Sequence, residues 1–391
     1  MPESPPPTTA AGKEPAQSKK PDDTSAFKQQ RMPSWQPVMS PPWVIGIFLA
    51  LGIIFVPIGI IVIVSSDSII EVKERYDHLQ TCSGTAGCRY TVPIHVPETM
   101  APPVLIYYQL DNFYQNHRRY AKSRSDLQLA GDLPSGDDMS DCDPILNPGQ
   151  YRGIGETTSV RLDNGDTFDV RSLVYNPCGL IAWSMFNDSY TLRRTRDNFI
   201  VCNGSLFGPS GEPIATSVTQ PCEKKNIAWP SDPDVKYQAP PAVQDGNPGS
   251  RGPPKYYGNK GFEFAINTSR EVDNAAANGW YLGENGHKVP DPTDLDLMVW
   301  MRLASLSSFR KLYRVVTSDL EVGSYILKVR QRYDMRAFDG KKSFVLSTTS
   351  WIGGKNYFLG GLYIGVGSLC VILGVGFLVK YLTTQRRVAN I

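Results

Sequence analysis

VIGIFLALGIIFVPIGIIVIV, residues 44–64, decides the architecture of this 391-residue chain. The stretch holds 21 residues and no charge. As a helix rising 1.5 Å per residue it reaches about 30 Å, the hydrocarbon thickness of a bilayer. A helix packed in a soluble core would show a polar stripe, and this one has none. A cleaved signal peptide has a shorter apolar run and starts earlier. Here 43 residues come first, so the stretch reads as an uncleaved signal anchor. Pro57 inside it removes one backbone hydrogen bond and predicts a local kink.

A second uncharged run, FLGGLYIGVGSLCVILGVGFLV at 358–379, is also long enough to cross. The chain therefore divides into a cytosolic tail (1–43, disordered to about residue 26 on its Pro, Ser, Thr, Ala and Lys content), a first span (44–64), a large extracytoplasmic domain (65–357), a second span (358–379) and a short cytosolic tail (380–391). Basic residues flank both spans on both sides, and the intervening segment is too long for loop charge to orient it.

Cysteine placement orients it instead. Cys82, Cys88, Cys142, Cys178, Cys202 and Cys222 all lie between the spans, and the seventh, Cys370, is inside the second. An even set confined to one segment reads as three disulfides in an oxidising compartment. The same segment holds three N-x-S/T sequons, at Asn187, Asn203 and Asn267. A zinc site would need closer ligand spacing than Cys82 to Cys88, and the four histidines are scattered. A net charge of +2 gives no basic surplus for nucleic acid.

Between the spans the pattern is strand-rich. TVPIHV places Val92, Ile94 and Val96 on one face, with Pro93 marking an edge strand. VLIYYQL reads as a more buried strand, and GSYILKVR alternates as another. NFYQNHRRYAKSRSDLQL is polar and basic, a surface helix or turn series. YDMRAF and KKSFVLST flank Asp339-Gly340, a hairpin signal. LDLMVWMRLASLSSFRKLY has helical spacing, with Leu297, Trp300, Met301 and Ala304 on one face and Leu312 about two turns on.

No phosphate-binding loop, nucleophile elbow, zinc-protease helix or phosphorylatable D-K-T-G motif is present. Neither span carries an ionisable residue, which argues against a charge pathway through this chain. Glycines 360, 361, 365, 367, 374 and 376 give the second span a small-residue face, read as a surface for packing on another membrane protein. Before the first span, FKQQRMPSWQPVMSPPW sets aromatic rings among bases and prolines. Trp43 reads as an interfacial anchor; Arg31 and Trp35 fit either an anchor or a partner-binding segment.

AFKQQRMPSWQP, NFYQNHRRYAKSRSDLQL, NPCGLIAWSMFNDSY, KKNIAWPSD, WMRLASLSSFRKLY and KSFVLSTTSWIGGKNYFLGGLY follow one another along nearly the whole chain. In these segments the chain resembles the cell division control protein 50 (Lem-type) family, the beta subunits of type IV P-type ATPases that act as lipid flippases. The resemblance implies an antiparallel β-sandwich-like extracytoplasmic domain with helical insertions. It implies no cofactor and no catalysis. It implies a heterodimer with the catalytic ATPase, whose folding, exit from the endoplasmic reticulum and transport of membrane phospholipids the subunit supports. The home would be the endoplasmic reticulum, Golgi, endosomes or plasma membrane, with both termini cytosolic. It also implies that Cys142 pairs with Cys178 and Cys82 with Cys88, although the spacing of Cys142 to Cys178 is longer than the family's. A Cys202–Cys222 bridge follows from parity alone. Arg118 and Arg119 are either a contact to acidic loops of the ATPase or a solvated basic face. A subunit of a two-span ligand-gated channel shares this topology and is the alternative.

Overall fold

In the computed structural model, the residues described are 27, 32, 40–78, 88–146, 159–161, 167–169, 173–214, 220–240, 256–258, 265–266 and 292–389. The chain divides into two compact units. One spans residues 58–362. The other comprises the outer parts of two long helices, up to Pro57 and from Tyr363.

Those helices are Pro41–Asp67 and Tyr357–Ala389. Each contains an apolar stretch long enough to cross a membrane. Ile53, Ile61, Phe358 and Ile372 are among many large apolar side chains left exposed along them. An apolar surface of that extent is stable only when lipid or another protein covers it. Trp43 is exposed at the start of the first helix.

The larger unit is built on antiparallel sheets, with strands numbered β1 to β14 in chain order. A five-stranded sheet runs β1 (Glu71–Arg75), β14 (Lys341–Ser347), β3 (Val104–Asp111), β12 (Phe309–Val316) and β9 (Cys222–Glu223). A four-stranded sheet runs β2 (Cys88–Val96), β13 (Gly323–Gln331), β7 (Ser189–Arg194) and β8 (Ile200–Asn203). Short strands β6 (Leu173–Tyr175), β10 (Tyr256–Gly258) and β11 (Ala265–Ile266) form a third sheet, and β4 (Ser159–Arg161) pairs with β5 (Thr167–Asp169).

Alternation in the sequence sets the burial. Tyr90, Val92, Ile94 and Val96 of β2 are buried while the residues between them are exposed. Their strand is an edge, where Pro93 removes no ladder bond that a further neighbour would need. Strand β3 lies at the centre of its sheet and is buried almost throughout. Both large sheets contribute to one hydrophobic core. Across it the Tyr190 ring of β7 lies 5.2 Å from the Phe344 ring of β14. Each fully buried aliphatic side chain here contributes about 1.5–3 kcal/mol, so Leu327→Ala in β13 would cost about 2–5 kcal/mol.

Two segments fold differently from what their sequence pattern predicts. The helical pattern from Leu295 stops at Met301, and Leu312 lies on β12. Ser305, Ser307 and Ser308 follow, and serine hydroxyls compete for helix backbone groups. From Phe309 the burial period becomes two, pairing β12 with β3. The helix that does form is closed off by Trp300, fully buried, whose indole donates to the Ile181 carbonyl at 2.9 Å. Asp339-Gly340 does not close a hairpin. Asp339 does take a positive φ of 54°, but it ends a short 3-10 turn, Arg336–Phe338. β13 and β14 do not pair. The connection carries the chain from one large sheet to the other, anchored by Met335, which is buried beneath the turn.

Candidate partner-binding surfaces and the clusters that hold them

The sequon at Asn187 sits on a buried charge. Asn187 is exposed, while Asp188 beside it is buried. Asp188 Oδ1 accepts from the backbone N–H groups of Arg332 and Tyr333 at 2.6 and 2.7 Å. Its Oδ2 accepts from the Tyr76 hydroxyl at 2.9 Å and from Lys342 Nζ at 2.7 Å. The Tyr76 hydroxyl also meets that of Tyr190 at 2.6 Å. Burial pushes the Lys342 ammonium below its ordinary pKa, with Asp188 pulling against it. Burial raises both tyrosines well above theirs, so they stay neutral donors. This carboxylate ties β7, β14 and the segment after β13 at one point.

A second cluster supports the Asn203 sequon. Lys224 Nζ bridges Asp294 at 2.7 Å and Asp296 at 2.9 Å. The Arg314 guanidinium takes both oxygens of Asp296, at 2.7 and 3.1 Å, and donates to the Gly204 carbonyl at 2.8 Å. Burial and the Asp296 charge push Asp294 up to about 6. Burial also acts to raise Asp296, but Arg314 and Lys224 outweigh it and hold that carboxyl below its usual range. Gly204 must be glycine: a Cβ there would lie 2.1 Å from the Tyr313 hydroxyl. Asn203 is half-buried, and its Oδ1 accepts from Thr191 Oγ1 at 3.1 Å and from Ser205 N–H at 3.2 Å. Cys202 and Cys222 are bonded, closing a loop of 20 residues.

The basic segment is fixed by the third element, Cys142 bonded to Cys178 across 36 residues. In the chain-entropy model these two bridges contribute about 3 and about 4 kcal/mol. Gln128 spans the Tyr175 carbonyl (2.8 Å) and the Cys178 N–H (2.9 Å). Gly179 has φ 98°, and a Cβ there would lie 2.2 Å from the Ser123 carbonyl oxygen. Ser123 and Tyr120 thereby dock the short helix Arg118–Lys122 onto this loop, through Leu180 N–H at 2.9 Å and Ser184 Oγ at 2.7 Å. Arg118 and Arg119 stand exposed on it, with no ion pair among the described residues.

Sequence reasoning missed Trp229. It is 65% exposed, yet its ring lies 5.2 Å from the Arg302 guanidinium. That guanidinium is held two-pronged on buried Asp232, at 2.7 and 2.8 Å. A large ring presented on so rigid a support has the character of an interface anchor. Its signal was in KKNIAWPSD, where a tryptophan stands between a buried isoleucine and a buried aspartate.

In the long helices the glycine face is only half free. Within the larger unit, a Cβ on Gly360 would lie 2.6 Å from Ile63. Within the outer unit, one on Gly367 would lie 2.9 Å from Val56, one on Gly374 2.9 Å from Leu49, and one on Gly52 2.3 Å from Val371. These glycines serve the chain's own helix pairing. On the second helix Gly361, Gly365 and Gly376 have nothing within 4 Å, as has Gly46 on the first, and these positions remain for a partner.

Arg31, Trp35, Cys82 and Asn267 lie outside the described residues. Cys88 is disulfide-bonded. Among the described residues, no group of His, Cys, Asp or Glu is arranged to hold a metal ion.

Two apolar helices bracketing a large antiparallel sheet domain define a membrane protein of two-span type. Residues 61–387 match the LEM3 (ligand-effect modulator 3) family / CDC50 family, and the chain belongs to that family. It is 34% identical over 378 residues to ALA-interacting subunit 3 of Arabidopsis thaliana, covering 94% of this chain and 88% of the relative. It is 36% identical over 381 residues to cell cycle control protein 50A of Bos taurus (93% and 90%). To cell cycle control protein 50B of Homo sapiens it is 32% identical over 388 residues (93% and 94%).

Proposed function

We propose that the chain is the non-catalytic beta subunit of a phospholipid-translocating P-type ATPase. Family membership across residues 61–387, with spans at both ends of the match, is the observation that carries this reading. One of the relatives is named as an interacting subunit. The subunit supports the ATPase's folding, its exit from the endoplasmic reticulum and its lipid transport. The domain between the spans faces the lumen or cell exterior, glycosylated at Asn187, Asn203 and Asn267. Cys82–Cys88, Cys142–Cys178 and Cys202–Cys222 are its bridges, and both tails are cytosolic.

Contact with the ATPase falls on three surfaces in this reading. Arg118 and Arg119, held outward by the Cys142–Cys178 loop, meet acidic extracytoplasmic loops. The face of Gly361 and Gly365 packs on a partner helix. Arg31 and Trp35, residue types common in interface hot spots, bind the ATPase's cytosolic part. Affinity purification of the tagged chain from its native membrane, with identification of co-purifying proteins, tests the reading. A P-type ATPase several times longer than this chain is expected. A chain recovered only as a homotrimer that conducts ions would favour the channel reading.

A further inference from the structure

We infer that the cytosolic end of the helix pair holds a binding site for an anionic phospholipid of the cytosolic leaflet. The orientation in this inference rests on the family reading above. Between the two long helices lies a groove of about 370 Å³. It is lined by apolar Val44, Ile45 and Phe377 and, toward the chain end, by Lys380, Tyr381 and Thr384.

Glycine spacing explains its position. Gly360, Gly367 and Gly374 recur every seven residues, and the next step of seven is Tyr381. On the other helix Gly59 and Gly52 are also seven apart, and the next step is Ile45. Close helix contact needs small residues. Both helices replace glycine with a large side chain at Ile45 and Tyr381, and both residues line the groove. Phe48 and Phe377, with ring centroids 5.9 Å apart, mark the end of the groove nearer the bilayer centre.

Charge selects the occupant. From Thr24 to Ser66, and from Gly340 to the last residue, the chain has no Asp or Glu. The cytosolic flanks carry Lys28, Arg31, Lys380, Arg386 and Arg387. Lys380 and Thr384 stand four residues apart and share one helix stripe. The Thr384 hydroxyl is already engaged, with Oγ1 donating to the Lys380 carbonyl at 2.8 Å. An acyl chain fits the apolar wall, and its phosphate satisfies the ammonium at the position where basic pockets between membrane helices take anionic head groups.

The test uses the full-length chain in phosphatidylcholine vesicles doped with a photoactivatable phosphatidylserine or the matching phosphatidylcholine. Labelled peptides are then mapped. The serine lipid should label the segments around Ile45 and Phe377 in preference to the choline lipid. Lys380→Gln should lower that labelling about fivefold, as expected for one cation lost near an anionic surface, and Lys380→Arg should retain it. Equal labelling by both lipids, or no response to Lys380→Gln, would overturn the site as ordinary boundary lipid. A cross-link from the groove to residues 28–39 of the same chain would overturn it as well. Protease access to a C-terminal tag on sealed microsomes is scored in parallel. A protected tag overturns the orientation and the family reading with it, whereas lost head-group selectivity with an accessible tag overturns the lipid site alone.

Discussion

Lys342 Nζ lies 2.7 Å from Asp188 Oδ2, and the two side chains are 1% and 0% exposed. A buried pair of this kind adds little net stability over an apolar pair, but removing one partner strands the other charge. Lys342→Met should therefore destabilise the chain by about 3–5 kcal/mol. The double variant Lys342→Met/Asp188→Asn should recover part of the loss, and it keeps the Asn187 acceptor sequence. Thermal unfolding of the detergent-solubilised chain reads both; a double variant as unstable as the sum of the two single variants would contradict the pairing.

The glycines of the second span should separate into two classes. Gly367→Leu intrudes on Val56 and should weaken the helix pair by about 1–3 kcal/mol, the cost of overpacking. Gly365→Leu meets open space and should leave stability unchanged while reducing co-purification of the ATPase. Monodispersity on size-exclusion chromatography separates the two effects.

Asp294 gives the pH dependence a definite sign. Its folded pKa, about 6, lies above its ordinary value of 3.8. The folded state thus holds this proton more tightly, and the associated stability is full below about pH 4 and lost as pH rises through 6. Asp294→Asn keeps an acceptor for the Asp296 N–H that begins the helix. The variant should lack that loss, a difference on the order of 2–3 kcal/mol between pH 4 and pH 7. Parallel denaturation curves for the two proteins across that range would refute the assignment.

Asn187 should carry a glycan. It is exposed beside a buried residue, so a sugar chain there meets solvent and not the core. Endoglycosidase should lower the apparent mass, and Asn187→Gln should remove one step of that shift. An unglycosylated Asn187 in a eukaryotic membrane preparation would count against the luminal placement of the domain.

Both spans and strands β2, β3 and β13 were legible because each depends on a local period in the sequence. The Lys342–Asp188 pair was not, since its members stand 154 residues apart and leave no local pattern. Attention to Asn187 as an acceptor passed over Asp188 as the buried counter-charge. Leu312 is not legible as a strand residue, because spaced apolar positions fit a helix face as well as a strand face until the serines between Ala304 and Phe309 are weighed. The glycine face of the second span is compatible with a partner, but its seven-residue steps, matched by Gly52 and Gly59, point to self-pairing. Trp229 escaped because its support, Arg302 on Asp232, is assembled from segments distant in the chain.

The central claim is that this chain enables an ATP-driven lipid transporter and moves nothing itself. Reconstitution in liposomes of the chain alone, of its co-purified ATPase alone, and of the two together tests it most directly, with ATP-dependent movement of a fluorescent phospholipid as the readout. Movement is predicted only when both are present. Lipid movement by the ATPase alone at the full rate, or ATP-driven flipping or an ion current from this chain alone, would contradict it.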